Sequence, residues 1–137
     1  MLAAEIATRL SDAGVGTKGT SIWVNEAAEP DYDDSGTGDG VVIRPYPGGR
    51  PLRTGGSTGA DPSYDREFFQ IIALSSDPVT AWTLAASARA ALDWWNGTLD
   101  GTLYSLIELV QSPGSLDPDA SLRYRVVASY EARKARS

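Results

Sequence analysis

The sequence predicts an α+β fold in which one long helix and a short N-terminal helix pack on a mostly antiparallel or mixed sheet of about five strands. Three observations carry this prediction. The apolar run REFFQIIAL reads as an interior strand. A capped, alanine-rich helical pattern follows it from Pro78. The chain then ends in an alternating stretch, LRYRVVASYEAR. The predicted order is α-β-β-β-α-β-β within a single domain spanning 1–137, with exposed loops at about 26–40 and 50–65.

The first element is a helix over about 2–13. Leu2, Ile6 and Leu10 share one stripe, Glu5 and Arg9 pair at i,i+4 in the favourable order, and Gly14 is placed to end it. SIWVN, Ser21 to Asn25, is β-branched and aromatic and reads as a short strand. A second strand spans Val41 to Pro45, closed by the turn residues Pro47-Gly48-Gly49. Residues 50–63 are rich in Gly, Ser, Thr and Pro and read as a long loop, a length that in a small domain points to function or mobility.

Arg66 to Leu74 is apolar on both faces, which predicts a central strand covered on both sides. Asp77 is a good N-cap and Pro78 suits the first helical position. From there the stripe Ala81, Leu84, Ala85, Ala88, Leu92 and Trp95 predicts a helix running to Trp95 and stopping at Asn96-Gly97. Tyr104 to Val110 and Leu122 to Arg133 are the last two strands, joined by a turn-rich SPGSLDPDA. In the final strand Leu122, Tyr124, Val126, Ala128, Tyr130 and Ala132 alternate with Arg123, Arg125, Ser129, Glu131 and Arg133, so one side is expected to face solvent or a partner.

Composition excludes several chemistries. The 137 residues contain no cysteine and no histidine. Disulfides, thiolate sites, a Ser-His-Asp triad and His-based metal sites are therefore impossible. A formal net charge of −6 argues against general nucleic-acid binding, which needs clustered Lys and Arg. No apolar stretch is long enough for a membrane helix, and Met1 to Leu10 carries Glu5 and Arg9, so it does not read as a signal peptide. The expectation is a soluble protein made in a cytoplasm. The charge is also uneven. Glu26, Glu29, Asp31, Asp33, Asp34 and Asp39 form an acidic run without a base. Arg123, Arg125, Arg133, Lys134 and Arg136 face only Glu131 at the other end of the sequence.

The acidic run DYDDSGTGDG resembles the start of an EF-hand loop. Asp31, Asp33 and Gly36 fit positions 1, 3 and 6, and Ser35 is tolerable at position 5. Position 12 is Val42, which cannot ligate calcium, and both flanks read as strands rather than helices. A solvated acidic connection is the better reading, with no metal. TGGSTGAD lacks the lysine and following helix of a phosphate loop. Asp117 and Asp119 sit in a turn without any pocket signal. Trp94 and Trp95, adjacent at a helix end, cannot face the same way, so one is expected in the core and its neighbour partly exposed, a candidate for an interface. No catalytic constellation emerges; no enzyme activity and no cofactor are expected.

The whole pattern resembles a known family. A short N-terminal helix leads to a strand and then Glu29-Pro30-Asp31. A strand ends in Tyr46-Pro47-Gly48-Gly49. The segment FFQIIALSSDPVTAWTLAASARAAL is followed by a strand and a proline, and an Asp-rich turn precedes Arg123 to Tyr130. This order and spacing, from Leu2 to about Arg133, is similar to the tail-terminator (tail-completion, minor capsid) proteins of long-tailed bacteriophages. The resemblance implies a structural virion protein, assembled in the host cytoplasm. It would form a six-membered ring that caps the tail tube and ends its polymerisation. The implied partners are the tail-tube protein and the head-side connector or head-closure protein, with DNA only passing through the lumen and no sequence-specific binding. Residues 50–65 make a longer Gly/Ser-rich insertion than the family pattern carries.

A cyclic ring needs two different patches that recur around its axis. Candidate contact residues are Asp31, Asp33, Asp34, Asp39, Arg44, Tyr46, Arg50, Arg53, Trp94, Arg123, Arg125 and Arg133. Charge asymmetry suggests that the basic last strand meets the acidic run of the next subunit. Competing readings are another neck ring protein of the head-closure type and a small calcium-dependent binding module. The last is separable by calcium titration followed by thermal melting. The expected outcome is no shift beyond a weak ionic effect that magnesium reproduces; a saturable, calcium-selective rise in melting temperature would restore the metal-site reading.

Overall fold

The computed structural model describes residues 2–24, 38–46, 64–116 and 122–135. Its elements are α1 (Leu2–Asp12), β1 (Ile22–Val24), β2 (Gly40–Tyr46), β3 (Tyr64–Ser75), α2 (Pro78–Leu92), β4 (Trp95–Leu99), β5 (Thr102–Leu116) and β6 (Tyr124–Ala135). The strands form one sheet in the order β1-β2-β3-β6-β5-β4. β1 and β2 run parallel and every other pair is antiparallel, so the sheet is mixed. The α+β class and the order of elements agree with the sequence reading, with one added strand.

Each predicted element has a local cause that the structure retains. α1 ends where Gly14 adopts φ +81, the left-handed conformation glycine reaches without a steric penalty. At α2 the Asp77 side chain accepts from Val79 N at 3.4 Å and from Thr80 Oγ1 at 2.9 Å, and Pro78 opens the helix. Gly40 begins β2 where a side chain would strike the Ser21 carbonyl and the Trp23 ring. That close approach lets Val41 N donate to Ser21 O at 2.9 Å and starts the parallel pair.

The main core lies between the helices and one face of the sheet. Ala81, Ala85, Ala88, Ala91 and Leu92 of α2 are buried. With so little side chain between them, helix and sheet approach closely over Phe69, Ile71, Ala73, Val126, Ala128 and Tyr130. Phe69 and Tyr130, paired across β3 and β6, stack with ring centroids 5.4 Å apart. A smaller cluster of Val42, Ile72 and Leu74, with Trp23 and Val127, covers part of the opposite face. β3 therefore has a neighbour on each side and apolar packing on both faces, as its sequence predicts.

Three details differ from the sequence reading. α2 stops at Leu92, not Trp95, and Trp95 begins β4. Trp94 at φ 63 breaks the helix, Asp93 Oδ1 accepts from Leu109 N at 2.9 Å, and Trp95 is drawn under Arg9 and against Tyr104. β5 runs through Pro113 to Leu116, where a turn was expected. β4 pairs with β5 no further than Ile107, and the β5–β6 register shifts around Gln111 to Gly114, so proline costs no ladder bond there. Last, Arg123, Ser129 and Glu131 of the expected solvated side are all buried, whereas Leu122 and Tyr124 of the expected core side are exposed. The turn into β6 reverses the environment there, with Leu122 at φ 61.

Two buried tyrosines make opposite demands. Tyr104 donates to Glu5 Oε1 at 2.6 Å, joining β5 to α1, while the Tyr130 hydroxyl has no hydrogen-bond partner among the described residues. Burial pushes both phenols above their ordinary range, and for Tyr104 the Glu5 carboxylate adds to it. Denaturant melts should separate them. Tyr104→Phe is expected to cost about 1–2 kcal/mol by taking a donor from a buried carboxylate, and Tyr130→Phe to be neutral or slightly stabilising. Equal losses in both variants would refute this difference.

Candidate interaction surface

Parity along β2, β3, β6 and β5 sends Arg44, Arg66, Glu131, Arg133 and Glu108 to the face of the sheet opposite the helices. Arg66 donates to both carboxylate oxygens of Glu131, Nε at 2.9 Å and Nη2 at 3.0 Å. Arg133 bridges Glu131 at 3.1 Å and Glu108 at 3.1 Å. Two arginines and two glutamates thus neutralise one another across three strands. The Glu131 side chain is 4% exposed. The Arg66 hydrogen bond, reinforced by that of Arg133, holds its carboxyl below the usual glutamate range against the opposing effect of burial.

The candidate residues named from sequence fall in different settings. Asp31, Asp33, Asp34, Arg50 and Arg53 lie outside the described residues, as do most of the loops at 26–40 and 50–65. Asp39 is exposed just before β2, and Arg44 is exposed on β2. Tyr46 is half-buried, its ring 5.8 Å from that of Phe68. Arg123 is buried and donates from Nη1 to Gly38 O at 3.0 Å, so it lies beneath the surface. Arg125 is half-buried and engaged within the chain. Arg133 belongs to the four-residue network. Among the described ones, Arg44, Tyr46, Arg125 and Arg133 share the helix-free face by register, whereas Arg123 is buried and Trp94 lies beyond the end of α2.

Trp94 is 72% exposed. It also holds a left-handed backbone conformation that is unfavourable for a bulky aromatic residue. A large apolar side chain kept in solvent on a strained backbone is a candidate contact. Val110, also exposed, follows Leu109, whose N–H is held by Asp93 beside Trp94.

Features that sequence reasoning missed lie on the helical layer. The outer side of α2 exposes Val79, Trp82, Thr83, Ala86, Ser87 and Ala90, and Arg89 is the one charged residue within the helix. A polar outer face is usual for a surface helix. A groove of about 330 Å³ runs between α1 and α2, lined by Arg9, Ala13, Gly14, Val15, Ser87, Ala90 and Ala91. Arg9 Nε donates to Ala91 O at 2.9 Å and its guanidinium lies 4.9 Å from the centroid of the Trp95 ring. The available sequence signal was the scarcity of charge along α2. Among the described residues no cluster of acids suits a metal ion, and no helix is long and apolar enough to cross a membrane.

Known structures share this fold. A chain from a structure described as the virion of a native gene transfer agent (GTA) particle matches with a TM-score of 0.67 and 16% identity, covering 98% of this chain and 95% of that one. A second solved chain, whose name describes no function, matches at a TM-score of 0.53 and 17% identity, over 99% and 94%. No protein-family model and no curated protein sequence matches.

The charge network has a pH signature. Glu131 has a lowered pKa in the folded state, so its contribution is complete above the ordinary glutamate pKa and is lost as pH falls through the depressed folded value. Glu131→Gln is expected to cost about 1–2 kcal/mol at neutral pH, reduced because both arginines are partly exposed. The gap between variant and parent should narrow below about pH 4.3, the ordinary glutamate value. A gap independent of pH in chemical denaturation would show that the ion pairs are not its source.

Proposed function

We propose that this chain is a structural subunit of a phage-like virion, and more narrowly a tail-terminator ring protein of the neck. The observation that carries the reading is the end-to-end match to a chain of the gene transfer agent virion, with almost nothing left over on either side. The sequence resemblance to tail terminators points independently to the same class. In this reading several copies close into a ring, six by the family pattern, at the head-proximal end of the tail tube. The ring ends tube growth and joins the tail to the head-side connector, with a central channel for DNA.

The physical chemistry is compatible with a scaffold role. The described surface offers strained or exposed apolar side chains, Trp94, Leu122, Val79 and Trp82, with which a neighbouring protein could bury area. The charged residues on the helix-free face are largely paired with one another, so they favour folding geometry over capture of a free polyanion.

Negative-stain imaging of the purified chain, alone and mixed with its tail-tube protein, tests the proposal. Closed rings, or caps at one end of the tubes with tube length held short, are the expected result. Tubes that grow unchanged and uncapped in its presence would reject the terminator role.

A further inference from the structure

We infer that the uncovered half of β5, together with the flank of α2 beside it, is the surface through which one copy of this chain binds a second copy. The inference deepens the ring reading by assigning one of the two patches that a ring needs, and it rests on that reading only for closure into a ring.

The exposed apolar side chains select the place. β4 pairs with β5 no further than Ile107, so Leu109 to Leu116 form a margin with no strand on their outer side among the described residues. α2 runs beside this margin, because Asp93 Oδ1 accepts from Leu109 N. By the helical repeat, Trp82, Ala86 and Arg89 lie on the same flank of α2 as Asp93. At one end of the margin are Trp94, directly after Asp93, and Val110, directly after Leu109. At the other end are Leu116, opposite Arg125, and Leu122 and Tyr124 at the start of β6. Val79 belongs to that end too, since Tyr124 pairs with Ser75 just before α2. With Trp82 between, these are all the exposed large apolar side chains of the described residues except Leu103.

Area and charge name the occupant. Together these side chains leave on the order of 600 Å² in water, at the top of the range for the largest patch on an ordinary monomer and most of the about 800 Å² that each partner gives to a standard interface. Two of them are held out on strained backbone, Trp94 at φ 63 and Leu122 at φ 61. The patch carries no net charge: residues 109–116 read LVQSPGSL, and Arg89 faces Asp93 at 3.7 Å. A strongly basic partner would be drawn to the acidic parts of a chain with a net charge of −6, not to this margin. Two copies of the chain repel one another through that same net charge, so a neutral apolar patch is where they meet at least cost. An extended peptide is a poor occupant, since the Leu109 amide is already taken and Pro113 has none.

The test follows the full chain by sedimentation velocity across a concentration series, where concentration-dependent association is expected. Trp94→Asn removes the indole and suits the left-handed backbone, and Trp82→Lys places a good helix former at an exposed position, so both should keep the fold, which thermal melting checks. Each is expected to weaken association at least about tenfold. Should one of them melt early, the other decides. Leu103→Lys is the control: it makes the same charge change as Trp82→Lys at an exposed apolar residue away from the margin, and association should stay within about twofold. A chain that is monomeric at every concentration, or an equal loss in Leu103→Lys, overturns the inference. Rings or tube caps that form undiminished with Trp82→Lys and Trp94→Asn combined overturn it while leaving the ring reading intact. Association that these variants abolish, without rings or tube caps in the parent, supports the surface and removes the terminator role.

Discussion

The unbroken pairing of β3 with β6 is the constraint on which the rest of the structure depends. The two strands stay in register from Tyr64↔Ala135 to Ser75↔Tyr124. On one face this register stacks Phe69 on Tyr130 and lays down the floor for the alanines of α2. On the other it brings Arg66 to Glu131 although they are far apart in the chain. A slip of one residue would move the core side chains to the charged face and the ion pairs under the helix. The two faces thus fix the same register for different reasons, one by apolar area and one by charge matching.

Around this pair the structure becomes less regular with distance. β2 follows β3 closely and β1 adds a short parallel edge. On the other side β5 pairs with β6 through three register shifts, and β4 covers only the first part of β5. Trp94 lies in that periphery, whereas α2 sits over the central pair and turns its exposed side away from it. The central register thus also seats the helix that carries the exposed Val79 and Trp82.

What could be read from the sequence was what local chemistry decides. Asp77 and Pro78 announce the start of α2, Gly14 ends α1, and the doubly apolar REFFQIIAL marks the central strand. β4 was hidden because Trp94-Trp95 continues the apolar pattern of α2; the break is made by Asp93 reaching Leu109 and by Arg9 over Trp95, both long-range contacts. Pro113-Gly114 looks like a turn unless one knows that the neighbouring strand has already ended. Arg123 looks solvated until Gly38, remote in sequence, supplies the carbonyl that receives it. The groove was illegible for a related reason. Its walls are small residues from two helices, and no single segment bears its signature.

The free margin of β5 has a consequence of its own. Beyond Ile107 its first outward amide, that of Leu109, is already occupied by the Asp93 carboxylate, and Pro113 offers no amide at all. Such a margin is a poor template for another strand. Copies of this chain cannot readily add to one another there by continuing the sheet, the route that leads to fibres without a defined end. Along that margin side-chain contacts are what is left, and these are finite and sensitive to salt, as the proposed ring of fixed size would need.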